Sequence, residues 1–246
     1  VTPRARFHLA AVTSSLVAAL GAPALGRTAS GGASPFAGQG STPVAQPGGG
    51  EVSSSAGGMT ITTRQSAFLA GDLQFTGSVP ASYAGDTIEV ERYGHETAWS
   101  WAPTATGTVA SDGSFQTDWH VDHIGRFAFR AVLTRPGGAA ASAGWPTVTV
   151  TVYRPSLATE YGPGFYGHRT ACGVVLRRTT IGLANRRLPC GARVAVYYRG
   201  STIVVPVIDR GPYANGADWD LTMATGRALG MTGTARIGAV SLPGRR

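Results

Sequence analysis

The sequence predicts an all-β chain: a β-sandwich followed by a small closed barrel that carries one short helix. Three observations support this. Between residues 59 and 153, apolar side chains recur at every second position in short runs separated by turn residues, the period of a half-buried strand. After residue 154 the same two-residue period returns, interrupted by one helical stretch. Thirty-five glycines among 246 residues suit short strands that reverse direction often.

Taken in order, residues 1–24 have the pattern of a secretory signal peptide. Arg4 and Arg6 precede an apolar run from Leu9 to Leu20, and Ala22-Pro23-Ala24 supplies small residues for cleavage. The run is too short to span a bilayer, so no transmembrane segment is expected in the mature chain. Residues 25–58 are Gly, Ser, Ala and Pro with hardly a charge, the composition of a flexible, disordered linker. The protein is therefore expected to be secreted, extracellular or cell-wall associated.

In residues 59–153, Leu73, Phe75 and Gly77 share one face, and Ile88 and Val90 another. Phe115, Thr117 and Trp119 follow the turn Ser111-Asp112-Gly113, and Phe127, Phe129, Ala131 and Leu133 form the longest alternation. Val148, Val150 and Val152 close the segment. About seven short strands in this space argue for a sandwich. The segment resembles bacterial immunoglobulin-like modules, without the Cys…Trp…Cys signature of antibody domains. A spacer or wall-adhesion role is expected for it.

Arg154-Pro155-Ser156-Leu157 reads as a joint, and residues 154–246 as the second domain. Val194, Val196 and Tyr198 alternate and pair naturally with Thr202 to Ile208 across a tight turn at Gly200-Ser201. Pro206 implies an edge position or a bulge in the second of these strands. That strand ends at Asp209-Arg210-Gly211-Pro212, a charged pair stopped by a Gly-Pro breaker. Trp219-Asp220-Leu221 then brings back a second carboxylate. Thr222 reads as the N-cap of a helix over about 223–229, and Gly230 as its stop. Ala235 to Leu242 is the last strand. Two acids at the ends of rigid elements, with Tyr213 and Trp219 between them, suit a carbohydrate site. Equally, Asp209 and Arg210 can pin a turn and Asp220 can support the helix start. Spacing alone leaves both readings open.

Charge is placed unevenly. All 21 basic residues are arginine, and residues 154–246 hold 13 of them against Glu160, Asp209, Asp218 and Asp220, a balance of +9. Residues 59–153 hold 5 arginines against 8 acids, a balance of −3. The second domain should favour anionic polymers. Export excludes nucleic acid as a partner and leaves an acidic cell-wall polymer. The two cysteines, Cys172 and Cys190, are expected to form a disulfide in an exported chain. No metal site is expected, because His120 and His123 have no third ligand in sight. No cofactor is called for.

Residues 158–167, Ala-Thr-Glu-Tyr-Gly-Pro-Gly-Phe-Tyr-Gly, contain a literal G-x-G-x-x-G. A dinucleotide turn requires a following helix, and His168-Arg169-Thr170-Ala171-Cys172-Gly173 starts none. Together with Leu188-Pro189-Cys190-Gly191, Asp209-Arg210-Gly211-Pro212 and Asp220-Leu221-Thr222, this segment instead resembles the rare lipoprotein A family. The resemblance covers about Ala158 to Val240 and implies a six-stranded double-psi β-barrel, also found in the first domain of expansins. Members that act as enzymes are lytic transglycosylases, which cut peptidoglycan glycan strands without water.

The resemblance implies catalytic roles for Asp209 as acid/base and Asp220 as its partner. It places Thr159, Tyr161, Asn185, Arg210, Tyr213 and Trp219 against the glycan. The chain departs from the family at two positions. Val174 stands where a glutamate is common, and Asn185 where a histidine is common. A monomeric, peptidoglycan-acting lytic transglycosylase is expected, and a non-catalytic wall-binding or wall-loosening module of the expansin kind is the alternative.

Overall fold

The computed structural model describes residues 43–134, 144–214 and 216–244. The expected signal peptide, residues 1–24, lies outside them, as does the first part of the expected linker. The rest of that linker is not a tether. β1 (Gln46–Pro47) and β2 (Glu51–Ala56) are strands. In β2 every second residue is half-buried, and Val52 packs on the neighbouring core. A low-charge Ser/Ala stretch hides this period, because its small side chains register weakly as apolar.

β2 pairs with β3 (Met59–Arg64), which pairs with β5 (Asp72–Ser78), which pairs with β8 (Ser114–His120). Facing this sheet is a second one, made of β4 (Ser66–Phe68), β6 (Thr87–Tyr93), β7 (Ala102–Thr108), β9 (Gly125–Thr134) and β10 (Thr147–Tyr161). Its order is β4-β10-β9-β6-β7, with β4 parallel to β10. Ile61, Phe75, Ile88, Val90, Phe127, Phe129 and Val150 are fully buried between the two sheets. All but Ile61 are alternating positions read from the sequence.

The remaining elements are β11 (Leu183–Ala184), β12 (Arg193–Tyr198), β13 (Ser201–Asp209), β14 (Trp219–Thr222), α1 (Met223–Leu229) and β15 (Ala235–Leu242). With the second half of β10 they run β14-β11-β13-β12-β15-β10, and β10 pairs in parallel with β14 to close six strands into a barrel. Ala158, Leu183, Val194, Val196, Val205, Val207 and Leu221 are buried in its core. Closure removes the exposed sheet edges that so small a domain would otherwise present.

The expected joint at residues 154–157 does not exist as a separate segment. β10 is one 15-residue strand, pairing with β9 through residues 147–152 and with β15 through residues 154–158. Pro155 does not break it. Tyr153, the partner of Phe68 in β4, also packs on Tyr197 and donates or accepts a hydrogen bond with Thr202 Oγ1 at 2.9 Å. Sandwich and barrel therefore share backbone as well as packing.

The β12–β13 turn falls one residue earlier than expected. Tyr198 pairs with Ser201, and Arg199 and Gly200 both take positive φ, 45° and 85°, as a two-residue hairpin turn requires. Pro206 sits inside the barrel wall without penalty. The Val207 N–H points to Ala192 O on the β12 side, so the Pro206 nitrogen points the other way. On that side β1 covers residues 201–202 and β11 covers Val207 and Asp209, leaving a gap where a missing N–H costs nothing. The helix matches its expected bounds, with Thr222 Oγ1 accepting from Thr225 N and Gly230 closing it at φ 72°.

Candidate functional site

The strand order brings both expected acids to one place. Ala184 in β11 pairs with Asp209 on one side and Asp220 on the other. The two backbones therefore stand two strand spacings apart, about 10 Å. Thr159 lies opposite Asp220 across the parallel β10–β14 pair. These residues and Tyr161 line a cavity of about 670 Å³, with Arg210, Pro212 and Tyr213 along its other wall.

Each carboxylate is held differently. Asp209 Oδ1 accepts two backbone N–H groups, from Ala171 at 2.9 Å and from Arg210 at 2.8 Å. Asp220 Oδ1 accepts the Thr159 hydroxyl at 2.9 Å. Burial pushes the Asp220 carboxyl above the usual carboxylate range, and the nearby Asp209 and Glu160 charges add to this against the Thr159 bond. Tyr161 is raised as well, first by burial and then by the charges of Asp209 and Asp220, and its hydroxyl is buried without a partner among the described residues.

Arg210 does not pair with the Asp209 carboxylate. Its guanidinium donates to the Asn185 and Asp209 backbone carbonyls at 3.4 and 3.3 Å and to Cys190 Sγ at 3.3 Å. That sulfur belongs to the expected disulfide, which joins Cys172 to Cys190 with Cα atoms 5.6 Å apart. The bridge fastens the loop that delivers the Ala171 N–H to Asp209.

Two expected glycan contacts lie elsewhere. Trp219 precedes Asp220 in β14, so the strand alternation turns it away from the carboxylates. It lines a second cavity of about 530 Å³ together with Asn185, Arg186 and Arg187. Asn185 Oδ1 is occupied by the backbone N–H groups of Arg187 and Leu188, at 3.0 and 2.9 Å, which makes this side chain a turn staple. Val174 is 37% exposed on the disulfide-bearing loop and does not line the carboxylate cavity.

Sequence reasoning passed over two residues. Phe165 is 59% exposed and joins Tyr213, 79% exposed, as an aromatic lining the first cavity. A large aromatic between glycines, where no core strand can form, was the available signal. Glu160 lines the cavity, where its Oε2 accepts the Gly233 N–H and its Oε1 is buried without a partner among the described residues. No sequence pattern marks it.

The comparisons with known proteins bear on the same stretch of chain. Residues 158–242 match the family described as lytic transglycolase. The closed six-stranded barrel with its one helix matches a double-psi β-barrel. The chain is 38% identical over 96 residues to a probable endolytic peptidoglycan transglycosylase RlpA of Synechocystis sp., covering 38% of this chain and 30% of that protein. It is 37% identical over 81 residues to the Aquifex aeolicus protein of the same description, covering 32% and 36%. An endolytic peptidoglycan transglycosylase RlpA of Campylobacter jejuni is 25% identical over 183 residues, covering 72% of this chain and 58% of that protein. The chain thus spans about a third of the first two RlpA proteins and under two thirds of the third.

Proposed function

We propose that this is an exported peptidoglycan lytic transglycosylase acting through the paired carboxylates of the barrel. The observation that carries the reading is the placement of Asp209 and Asp220 on either side of Ala184 in one aromatic-rimmed cavity. The reaction needs one acid/base group: a carboxylic acid protonates the glycosidic oxygen, the C1–O bond breaks, and the resulting carboxylate takes the proton from the C6 hydroxyl as that oxygen bonds to C1. No water is activated, so the separated acid and base of an inverting hydrolase are not required.

The local chemistry moves the proton donor from Asp209, the sequence expectation, to Asp220. Asp220 is the carboxyl whose surroundings favour the neutral form, and its Oδ2 has no hydrogen-bond partner among the described residues. Asp209, clamped by two N–H groups, lies across the cavity as the negative neighbour that stabilises positive charge developing at C1. Tyr213 and Phe165 offer apolar faces to the sugar rings. The preceding sandwich, read as an immunoglobulin-like module, serves as a spacer.

One observation favours a non-catalytic, expansin-like reading. The positions where the family commonly has glutamate and histidine hold Val174, outside the cavity, and Asn185, engaged in a turn. Purified glycan strands separate the two readings. Release of 1,6-anhydro products by the full chain is the expected result, and saturable binding with no product over long incubation would establish the alternative.

A further inference from the structure

The second cavity is walled off from the carboxylates by β11 and β14, and its chemistry is different. Trp219 lines it, half-buried against the barrel core. Arg154, Arg186 and Arg187 line the same cavity, with Asp218 as its one acid. Asp218 Oδ2 is already accepting the Leu157 N–H at 3.1 Å. Arg186 is anchored, donating to Pro212 O at 3.0 Å, whereas the side chains of Arg154 and Arg187 have no protein partner among the described residues. Asn185 spends its oxygen on the turn, which leaves its NH₂ as a further donor. The cavity is therefore rich in donors, poor in acceptors and floored by an aromatic.

We propose that this cavity is a second binding site, for a saccharide carrying an anionic substituent. The sugar ring would lie on Trp219 and its carboxylate or phosphate would pair with Arg154 and Arg187. An aromatic face suits the C–H face of a pyranose, and unpaired guanidiniums suit a planar or tetrahedral oxyanion. The balance of +9 over residues 154–246 would draw such a polymer to this side of the molecule. The inference is independent of any chemistry at Asp209 and Asp220.

The test is a low-salt titration of the full chain with three probes: N-acetylmuramic acid, N-acetylglucosamine 6-phosphate and neutral N-acetylglucosamine. Binding is followed through the indole N–H resonance of Trp219, assigned by its loss in Trp219→Phe. At least one anionic sugar should shift that resonance saturably and bind about tenfold or more tighter than the neutral one, a difference of about 1.4 kcal/mol. A response to the first probe alone identifies a carboxylate-bearing glycan, and to the second alone a phosphate-bearing one. Arg154→Ala with Arg187→Ala should weaken binding about tenfold or more, and Asp209→Asn should leave it unchanged. Equal affinity for all three sugars, no saturable shift at Trp219, full affinity in the double arginine variant, or loss of binding in Asp209→Asn would each overturn the proposal.

Discussion

Thr159 and Asp220 face each other across two parallel strands, and the Thr159 hydroxyl donates to Asp220 Oδ1 at 2.9 Å. This bond favours the charged carboxylate, whereas burial and the neighbouring acids favour the neutral one. Thr159→Val removes the bond and keeps the shape, so the Asp220 pKa rises further. A hydrogen bond to a charged group favours its ionised form. The donor must be protonated to act, so the alkaline limb of the kcat/KM profile moves to higher pH. An unmoved limb would remove Asp220 as the donor.

Stability follows the same group. A carboxyl whose folded pKa lies above its unfolded value favours the fold below the unfolded pKa, and that contribution is lost as pH rises through the folded pKa. At neutral pH Asp220 is therefore a burden on the fold. Asp220→Asn keeps an oxygen for Thr159 and carries no charge, so it should melt at or above the wild type at pH 7. The difference should shrink below about pH 4, where both side chains are neutral. In the same protein any lytic activity should fall by about 10²–10⁴-fold.

Asp209 answers to a different test. Its Oδ1 satisfies the Ala171 and Arg210 N–H groups, so Asp209→Ala should cost about 1–3 kcal/mol in a denaturant melt. Asp209→Asn retains an acceptor oxygen and should melt near the wild type. An equal loss of stability in both variants would mean that the charge, not the geometry, holds the loop.

The Cys172–Cys190 bridge closes a segment, sequence separation 18, that has few strand partners of its own. Replacing both cysteines by serine should cost about 3 kcal/mol on the chain-entropy estimate. Amide exchange should rise first at Ala171 and its neighbours, ahead of the barrel strands. Thiol titration of the native protein should find no reactive group.

Gly226 lies inside α1, where alanine would ordinarily stabilise by about 1 kcal/mol. Here a Cβ would overlap Glu160 Oε1. Gly226→Ala should therefore destabilise by about 1–3 kcal/mol by driving Glu160 from its bond with the Gly233 N–H. Gly226→Ala with Glu160→Gln should not recover the loss, whereas Gly226→Ala with Glu160→Ala, which removes the overlap but also the acceptor for the Gly233 N–H, should recover only part of it.

The barrel was legible because its signals are local. The apolar period of residues 203–208, the cap at Thr222 and the stop at Gly230 each specify backbone within a few residues. The position of Asp209 and Asp220 in one cavity was legible only through the family resemblance, since it depends on β11, a two-residue strand that no periodicity reveals. Trp219 was misplaced for a reason of parity. It is adjacent to Asp220, and adjacent strand residues face opposite sides. Asn185 lies outside the carboxylate cavity because its amide oxygen accepts from backbone two and three residues onward, a turn chemistry that looks the same in sequence as a free polar side chain. The continuity of β10 was missed because Arg154-Pro155 resembles a linker, and nothing local shows that β15 pairs across it.

That continuity bears on how the molecule transmits force. From Tyr153, packed against the sandwich strand β4, to Thr159 at the cavity is six residues of one extended strand, about 20 Å. There is no swivel between them. A pull or twist applied to the sandwich by whatever it is lodged against passes along this strand as a torque on the barrel, without being absorbed by a loose coil. The sandwich is in effect a handle, and it sets the heading of the carboxylate cavity.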